Sequence, residues 1–123
     1  MAKRILVVDD DELVQIAVGE LLTSKGFDVS TVSSGPEALQ TLEREAFDLC
    51  VLDIIMPVMD GYEVCRRIRR MERAGKMPVL MLTAKTADED RQRGLEAGAN
   101  LYLPKPISPA KLIQMVEEVL NSR

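Results

Sequence analysis

The chain has no histidine and no tryptophan, and its aromatic content stops at two Phe and two Tyr. Without histidine it can hold no Ser-His-Asp or Cys-His nucleophile, no His-ligated zinc and no phosphohistidine of its own. With so few rings, the core has to be assembled from Val, Leu, Ile and Met. The only two cysteines, Cys50 and Cys65, sit in apolar stretches without metal-binding spacing, and read as reduced core thiols of a cytoplasmic protein. No apolar run comes near the roughly 20 residues of a membrane span. The amino-terminal Met1-Ala2-Lys3-Arg4 leads into a short apolar run without the cleavage site of a signal peptide. Positive charge is not in excess: the net charge is −4, which speaks against a nucleic-acid surface. No Gly-x-x-x-x-Gly-Lys occurs, which excludes a P-loop nucleotide site.

What is present is an alternation. The 123 residues, 46% apolar and 29% charged, suit one domain over 1–123 with one core. Ile5-Leu6-Val7-Val8, Leu49-Cys50-Val51-Leu52 and Val79-Leu80-Met81-Leu82 are apolar on both faces, as strands covered by helices on both sides must be. Asp28-Val29-Ser30-Thr31-Val32 is mixed and Leu101-Tyr102-Leu103 is short, so both read as edge strands. Between them lie helices with readable ends. Asp11 to Lys25 carries Val14, Ala17, Val18, Leu21 and Leu22 and stops at Gly26; Ser34, with Pro36 and Glu37, opens the second. Asp60-x-x-Glu63 opens the third, with an inward stripe of Val64, Ile68 and Met71, and Thr86-x-x-Glu89 opens the fourth, through Leu95 to Gly98. Ser108-Pro109 opens the fifth, which buries Leu112, Ile113, Val116 and Leu120. The pattern is (βα)₅. Right-handed crossovers and the two edge strands give an α/β, flavodoxin-like doubly wound parallel sheet of order 2-1-3-4-5. Its ligand crevice lies beyond the carboxyl ends of strands one and three.

The chemically capable residues cluster at that end. The first strand ends in Asp9-Asp10-Asp11, the third in Asp53, the fourth in Thr83-Ala84, and the fifth in Lys105 between Pro104 and Pro106. Asp11 suits the N-cap of the first helix. The remaining acids repel one another: at about 4 Å, with an effective dielectric near 20, a pair costs roughly 4 kcal/mol. Either a proton or a cation must answer that charge, and a set of oxygen donors suits Mg²⁺. Taken alone, the cluster fits a solvated acidic rim equally well. Lys105 and Thr83 tip the balance, because an amine opposite a divalent metal, with a hydroxyl between them, cradles three phosphoryl oxygens. Asp53 supplies the nucleophile; a carboxylate needs no general base at neutral pH, so the missing histidine is no obstacle.

These residues resemble a response-regulator receiver domain over Lys3 to about Leu120, through Val7-Val8-Asp9-Asp10, Leu52-Asp53-Ile54-Ile55-Met56-Pro57, Asp60-Gly61, Thr83-Ala84 and Lys105-Pro106. The resemblance implies that Asp9, Asp10, Asp53 and the backbone carbonyl of Ile55 hold Mg²⁺. It further implies that Asp53 accepts a phosphoryl group from a phosphohistidine on a sensor histidine kinase or histidine phosphotransfer protein, and that Lys105 pairs with that group. A cis Lys105-Pro106 bond is implied too. So is a switch in which Thr83 swings toward the phosphoryl group and Tyr102 turns inward, changing the face formed by the fourth helix, fifth strand and fifth helix toward a downstream protein or output domain. Such a domain touches neither nucleic acid nor membrane directly. Ile55 and Lys85, each two residues past a site residue, are expected to flank the phosphoryl group. Arg66, Arg67, Arg69, Arg70 and Arg73 read as a solvated helix face, and Met56 and Met59 as filler or partner contacts. Asn100-Leu101-Tyr102 lacks the acidic pair of winged-helix transcription-factor receivers and points away from that branch. The competing enzyme is a haloacid-dehalogenase-like phosphohydrolase, whose Asp-x-Asp the residues Asp9 and Asp11 satisfy, although no pair of acids follows Lys105 to complete its metal site.

Overall fold

A computed structural model describes residues 2–121. The strands are β1 (Arg4–Val8), β2 (Asp28–Val32), β3 (Leu49–Leu52), β4 (Val79–Thr83) and β5 (Leu101–Pro104). They alternate with α1 (Glu12–Ser24), α2 (Gly35–Arg44), α3 (Gly61–Arg70), α4 (Asp88–Ala97) and α5 (Pro109–Asn121). All four strand pairings are parallel, and the order is β2-β1-β3-β4-β5, as the two edge patterns predict.

The period-two alternation of strand side chains splits the core into two layers. Leu6, Val8, Cys50, Leu52, Val79 and Met81 pack with Ala38 and Leu42 of α2 and with Val64, Cys65 and Ile68 of α3. Ile5, Val7, Leu49, Val51, Leu80 and Leu82 face the other way, toward Val18 and Leu22 of α1 and toward Leu112, Val116 and Leu120 of α5. Both cysteines are free and buried, and burial pushes both thiols up, so neither serves as a nucleophile or a soft metal ligand near neutrality. Among the described residues, no helix is long and apolar enough to cross a membrane.

The helix starts follow side-chain chemistry where a cap exists. Asp11 accepts from Leu13 N, Ser34 from Glu37 N and Asp60 from Glu63 N. α4 departs from the sequence pattern. Its N-cap is Ala87, not Thr86, and no side chain caps it. Three acids in its first turn (Asp88, Glu89 and Asp90) meet the positive end of the helix dipole instead. Leu95 and Ala17 of α1 are exposed, and Ile113, expected in the buried face of α5, is only partly buried. Met71 is the C-cap of α3 and only partly buried, while Met56 belongs to the core.

Arg69 corrects the reading of the α3 arginines as one solvated face. Its guanidinium donates to the carbonyls of Gly75, Met77 and Gly98 and to Asn100 Oδ1, clamping the loop before β4 to the loop before β5. Arg66, Arg67 and Arg70 do line the surface, gathered around Glu63.

Gly61 sets how closely α3 approaches the end of β3. A Cβ there would lie 2.3 Å from the Asp53 carbonyl oxygen and 2.7 Å from Ile54 Cα, both rigid backbone atoms. Gly61→Ala is therefore expected to lower stability by about 2–3 kcal/mol. Urea unfolding measures this, and a loss below about 0.5 kcal/mol would show that α3 can move away at little cost.

Candidate functional site

Three loops at the carboxyl end of the sheet deliver the site. The end of β1 is tied to β2 by Asp9 N donating to the Val32 carbonyl, and the end of β3 to β1 by Asp53 N donating to the Val8 carbonyl. Lys105 N donates to the Thr83 carbonyl, which fixes the end of β5 against β4. The ladder thus carries Asp9, Asp53, Thr83 and Lys105 to one rim, and the Lys105-Pro106 peptide is cis, as the resemblance implied.

Asp9 and Asp53 are almost wholly buried, at 3% and 5% exposure, whereas Asp10 is open to solvent. Carboxylate oxygens of the three lie within 4.8 Å of one another. The Lys105 ammonium bridges the two buried acids, 2.9 Å from Asp9 Oδ2 and 3.2 Å from Asp53 Oδ2. The second oxygens are held by backbone: Asp9 Oδ1 accepts from Asp11 N at 2.9 Å, and Asp53 Oδ1 from Ile54 N at 2.7 Å and Ile55 N at 3.3 Å. Burial raises the Asp9 carboxyl above the usual carboxylate range, against the pull of the Lys105 and Asp11 hydrogen bonds. For Lys105, loss of water is the largest single influence and favours the neutral amine. The hydrogen bonds and charges of Asp9 and Asp53 together outweigh it and leave its pKa above the ordinary lysine value.

Chemically, the arrangement sets three carboxylates, oxygen donors able to take a hard cation, around a fixed ammonium. Three acids against one amine leave two negative charges uncompensated, which matches a divalent ion, and the absence of sulfur or imidazole ligands favours magnesium over zinc. Asp11 is exposed and occupied in capping α1, so the Asp-x-Asp arrangement of the phosphohydrolase alternative does not form.

Thr83 is fully buried, with its hydroxyl accepting from Lys85 N at 3.3 Å. The Tyr102 hydroxyl donates to the carbonyl of the same Lys85, and its ring lies against the Gly94 position of α4. Burial, with the nearby Tyr62 and Asp90, pushes Tyr102 up to about 12. The Lys85 ammonium lies 3.8 Å from Asp90 of α4. Ile55 is half-exposed at the mouth. Two residues escaped the sequence reading. Tyr62 donates to the Asp90 carbonyl at 3.1 Å beneath the Arg93 guanidinium, joining α3 to α4. Gln15 is the other; its only sequence signal is a polar side chain in line with Val18 and Leu22.

Comparison with known proteins places this geometry. The family described as response regulator receiver domain matches residues 5–117. The alkaline phosphatase synthesis transcriptional regulatory protein PhoP of Bacillus subtilis is 44% identical over 121 residues, covering 98% of this chain and 50% of that protein. The chain spans about half the length of the curated relatives it matches. Chemotaxis protein CheY4 of Vibrio cholerae superposes with a TM-score of 0.92 at 34% identity, covering 97% of this chain and 99% of that one. The receiver domain of sensor histidine kinase PA1611 of Pseudomonas aeruginosa gives 0.91 at 34% identity, covering 98% and 99%, and holds magnesium in its active-site cleft. In place of an acidic pair, this chain carries Asn100-Leu101-Tyr102. Asn100 has a different task here: its side chain caps the start of β4 through Val79 N and receives Arg69.

Proposed function

This chain belongs to the response regulator receiver domain family of two-component signalling, and from that premise we propose that it takes a phosphoryl group onto Asp53. The observation that carries the proposal is a buried Asp53 carboxylate beside two further acids and 3.2 Å from the Lys105 ammonium. In the transfer, an Asp53 oxygen attacks phosphorus, and the P–N bond to a donor imidazole breaks with its electron pair left on nitrogen. The donor is a phosphohistidine on a sensor histidine kinase or a phosphotransfer protein. Exposed Leu13 and Ile16 on α1, with Ile55 and Val58 after β3, offer it an apolar rim at the same end of the sheet. Lys105 meets one oxygen of the arriving group, and the Thr83 hydroxyl turns to meet another. Asp9, Asp10 and Asp53, with the Ile55 backbone carbonyl, are the residues that would hold Mg²⁺, which when bound neutralises charge on the transferring oxygens.

Readout runs through Lys85 in this proposal. Thr83 holds its N–H and Tyr102 its carbonyl, so a Thr83 that turns away frees the loop on which Tyr102 is seated. The face of α4, β5 and α5 then changes toward a downstream protein or output domain, with no direct contact to nucleic acid or membrane. Residues 1–123 act here as one receiver unit in the cytoplasm. Acetyl phosphate with Mg²⁺ tests the proposal: the expected product is one acid-stable, base-labile phosphate per chain. Repeated turnover with no phosphoprotein would favour a hydrolase instead.

Ile55 governs how long that phosphate lasts. At 52% exposure it stands at the mouth with an apolar side chain that cannot orient an attacking water. Ile55→Asn introduces an amide able to do so and is expected to hasten dephosphorylation roughly tenfold. Equal decay of the two phosphoproteins, followed by loss of label, would remove this role.

A further inference from the structure

We propose that Gln15 is a positioning residue for the acidic pair, setting the direction in which Asp10 faces the metal; the inference rests on the Mg²⁺ reading above. Gln15 lies one turn into α1, and its backbone N donates to the Asp11 carbonyl, so its own place is fixed by the helix. From there its side-chain nitrogen reaches back to the Asp9 carbonyl at 2.6 Å and across to Ser33 Oγ at 3.0 Å, with the Val32 carbonyl at 3.3 Å. A primary amide has two hydrogens. The two shorter contacts take them, and the Val32 carbonyl already accepts from Asp9 N at 3.2 Å.

The bonded carbonyl decides what this achieves. The oxygen of Asp9 belongs to the planar peptide that joins Asp9 to Asp10, and a peptide plane turns as a unit. Asp9 is otherwise fully anchored: its N–H by Val32, Oδ1 by Asp11 N, and Oδ2 by Lys105. Asp10 has no comparable support. It is exposed, and among the described residues no side-chain hydrogen bond holds it. Its carboxylate stays within 4.8 Å of the other two through the backbone alone. Rotation about the Asp9 Cα–C bond turns that carbonyl and carries Asp10 out of the cluster with it, and the Gln15 amide, by holding the carbonyl oxygen, resists that rotation. The far end of the amide is braced as well, because Ser33, which shares it, donates its own N–H to Glu37 of α2 at 2.7 Å.

The same logic governs groups behind metal ligands in general, whose loss costs about 10–100-fold in affinity. The expectation here sits at the lower end, because the held ligand is exposed. Gln15→Leu removes both donors at similar volume, and Gln15→Arg keeps donors within reach. Calorimetric titration of each chain with Mg²⁺ is expected to show the Kd about tenfold weaker for Gln15→Leu and within about twofold of the parent for Gln15→Arg. Thermal unfolding in EDTA accompanies the titration as a check on folding. If Gln15→Leu fails to fold, Gln15→Met, unbranched and of the same length, supplies the comparison. Undiminished Mg²⁺ affinity in the apolar variant would overturn the inference, as would an arginine variant as weak as the leucine one. A parent chain that binds no Mg²⁺ would instead overturn the metal reading beneath it, and so the two failures are told apart.

Discussion

Asp53→Asn will take up no phosphoryl group from acetyl phosphate and Mg²⁺, while the parent gains one per chain. The substitution keeps shape and replaces a charged oxygen by a neutral amide, a far poorer nucleophile, in a chain with no histidine to take over. Loss of folding will not explain the result. The cluster sets three acids against a single ammonium, so removing one acid relieves repulsion, and the variant should unfold in EDTA at a temperature no lower than the parent. Intact mass before and after brief alkaline treatment reads both the attachment and its acyl character. Label persisting on Asp53→Asn would place the acceptor elsewhere, with Asp10 the first candidate because it shares the cluster and faces solvent.

The residues that make this testable were legible in the sequence because strand-end position and chemistry coincide there. The three doubly apolar blocks could only be central strands, the two weaker ones only edges, and the order that follows places Asp9, Asp53, Thr83 and Lys105 on one rim. What stayed hidden depends on where a side chain turns after leaving regular structure. Lys85 follows Thr83 by two positions, but only the fold shows its amine 3.8 Å from Asp90 at the start of α4. Nothing in a run of arginines singles out Arg69 as the one that finds three carbonyls. The start of α4 was misplaced because sequence reading looks for a capping side chain, and this helix has none. Gln15 could have been noticed as the polar member of a buried stripe, but only the fold shows that the stripe ends at the Asp9 carbonyl.

Lys105→Met will slow phosphoryl uptake by about 100–1,000-fold while leaving Asp53 in place, as expected for loss of a preorganised charge facing the transferring group. A second effect appears in EDTA, without any phosphodonor. The amine is the only cation bonded to Asp9 and Asp53 among the described residues, and removing one partner of a buried pair costs about 3–5 kcal/mol. Because the Lys105 side chain keeps 19% exposure and Asp10 faces water, a loss of about 2 kcal/mol at neutral pH is expected. Its pH dependence identifies its origin. Asp9 already titrates above the ordinary carboxylate range because it is buried, and Lys105 restrains that rise; without the amine the carboxyl moves higher still. A carboxyl raised in the folded state holds a proton that the unfolded chain has released, so stability falls as pH climbs from the ordinary carboxylate range through the folded value. The deficit of the variant is therefore small in acid and grows toward neutrality. At the alkaline end, the parent loses its own advantage: the stability owed to Lys105 is complete below the ordinary lysine value of 10.5 and disappears as pH rises through the higher folded value. Urea unfolding of both chains should thus give curves that approach one another at both extremes and stand furthest apart near neutrality. A deficit constant across the whole range would mean that the introduced methionine merely packs badly, and the electrostatic account of the site would have to be abandoned.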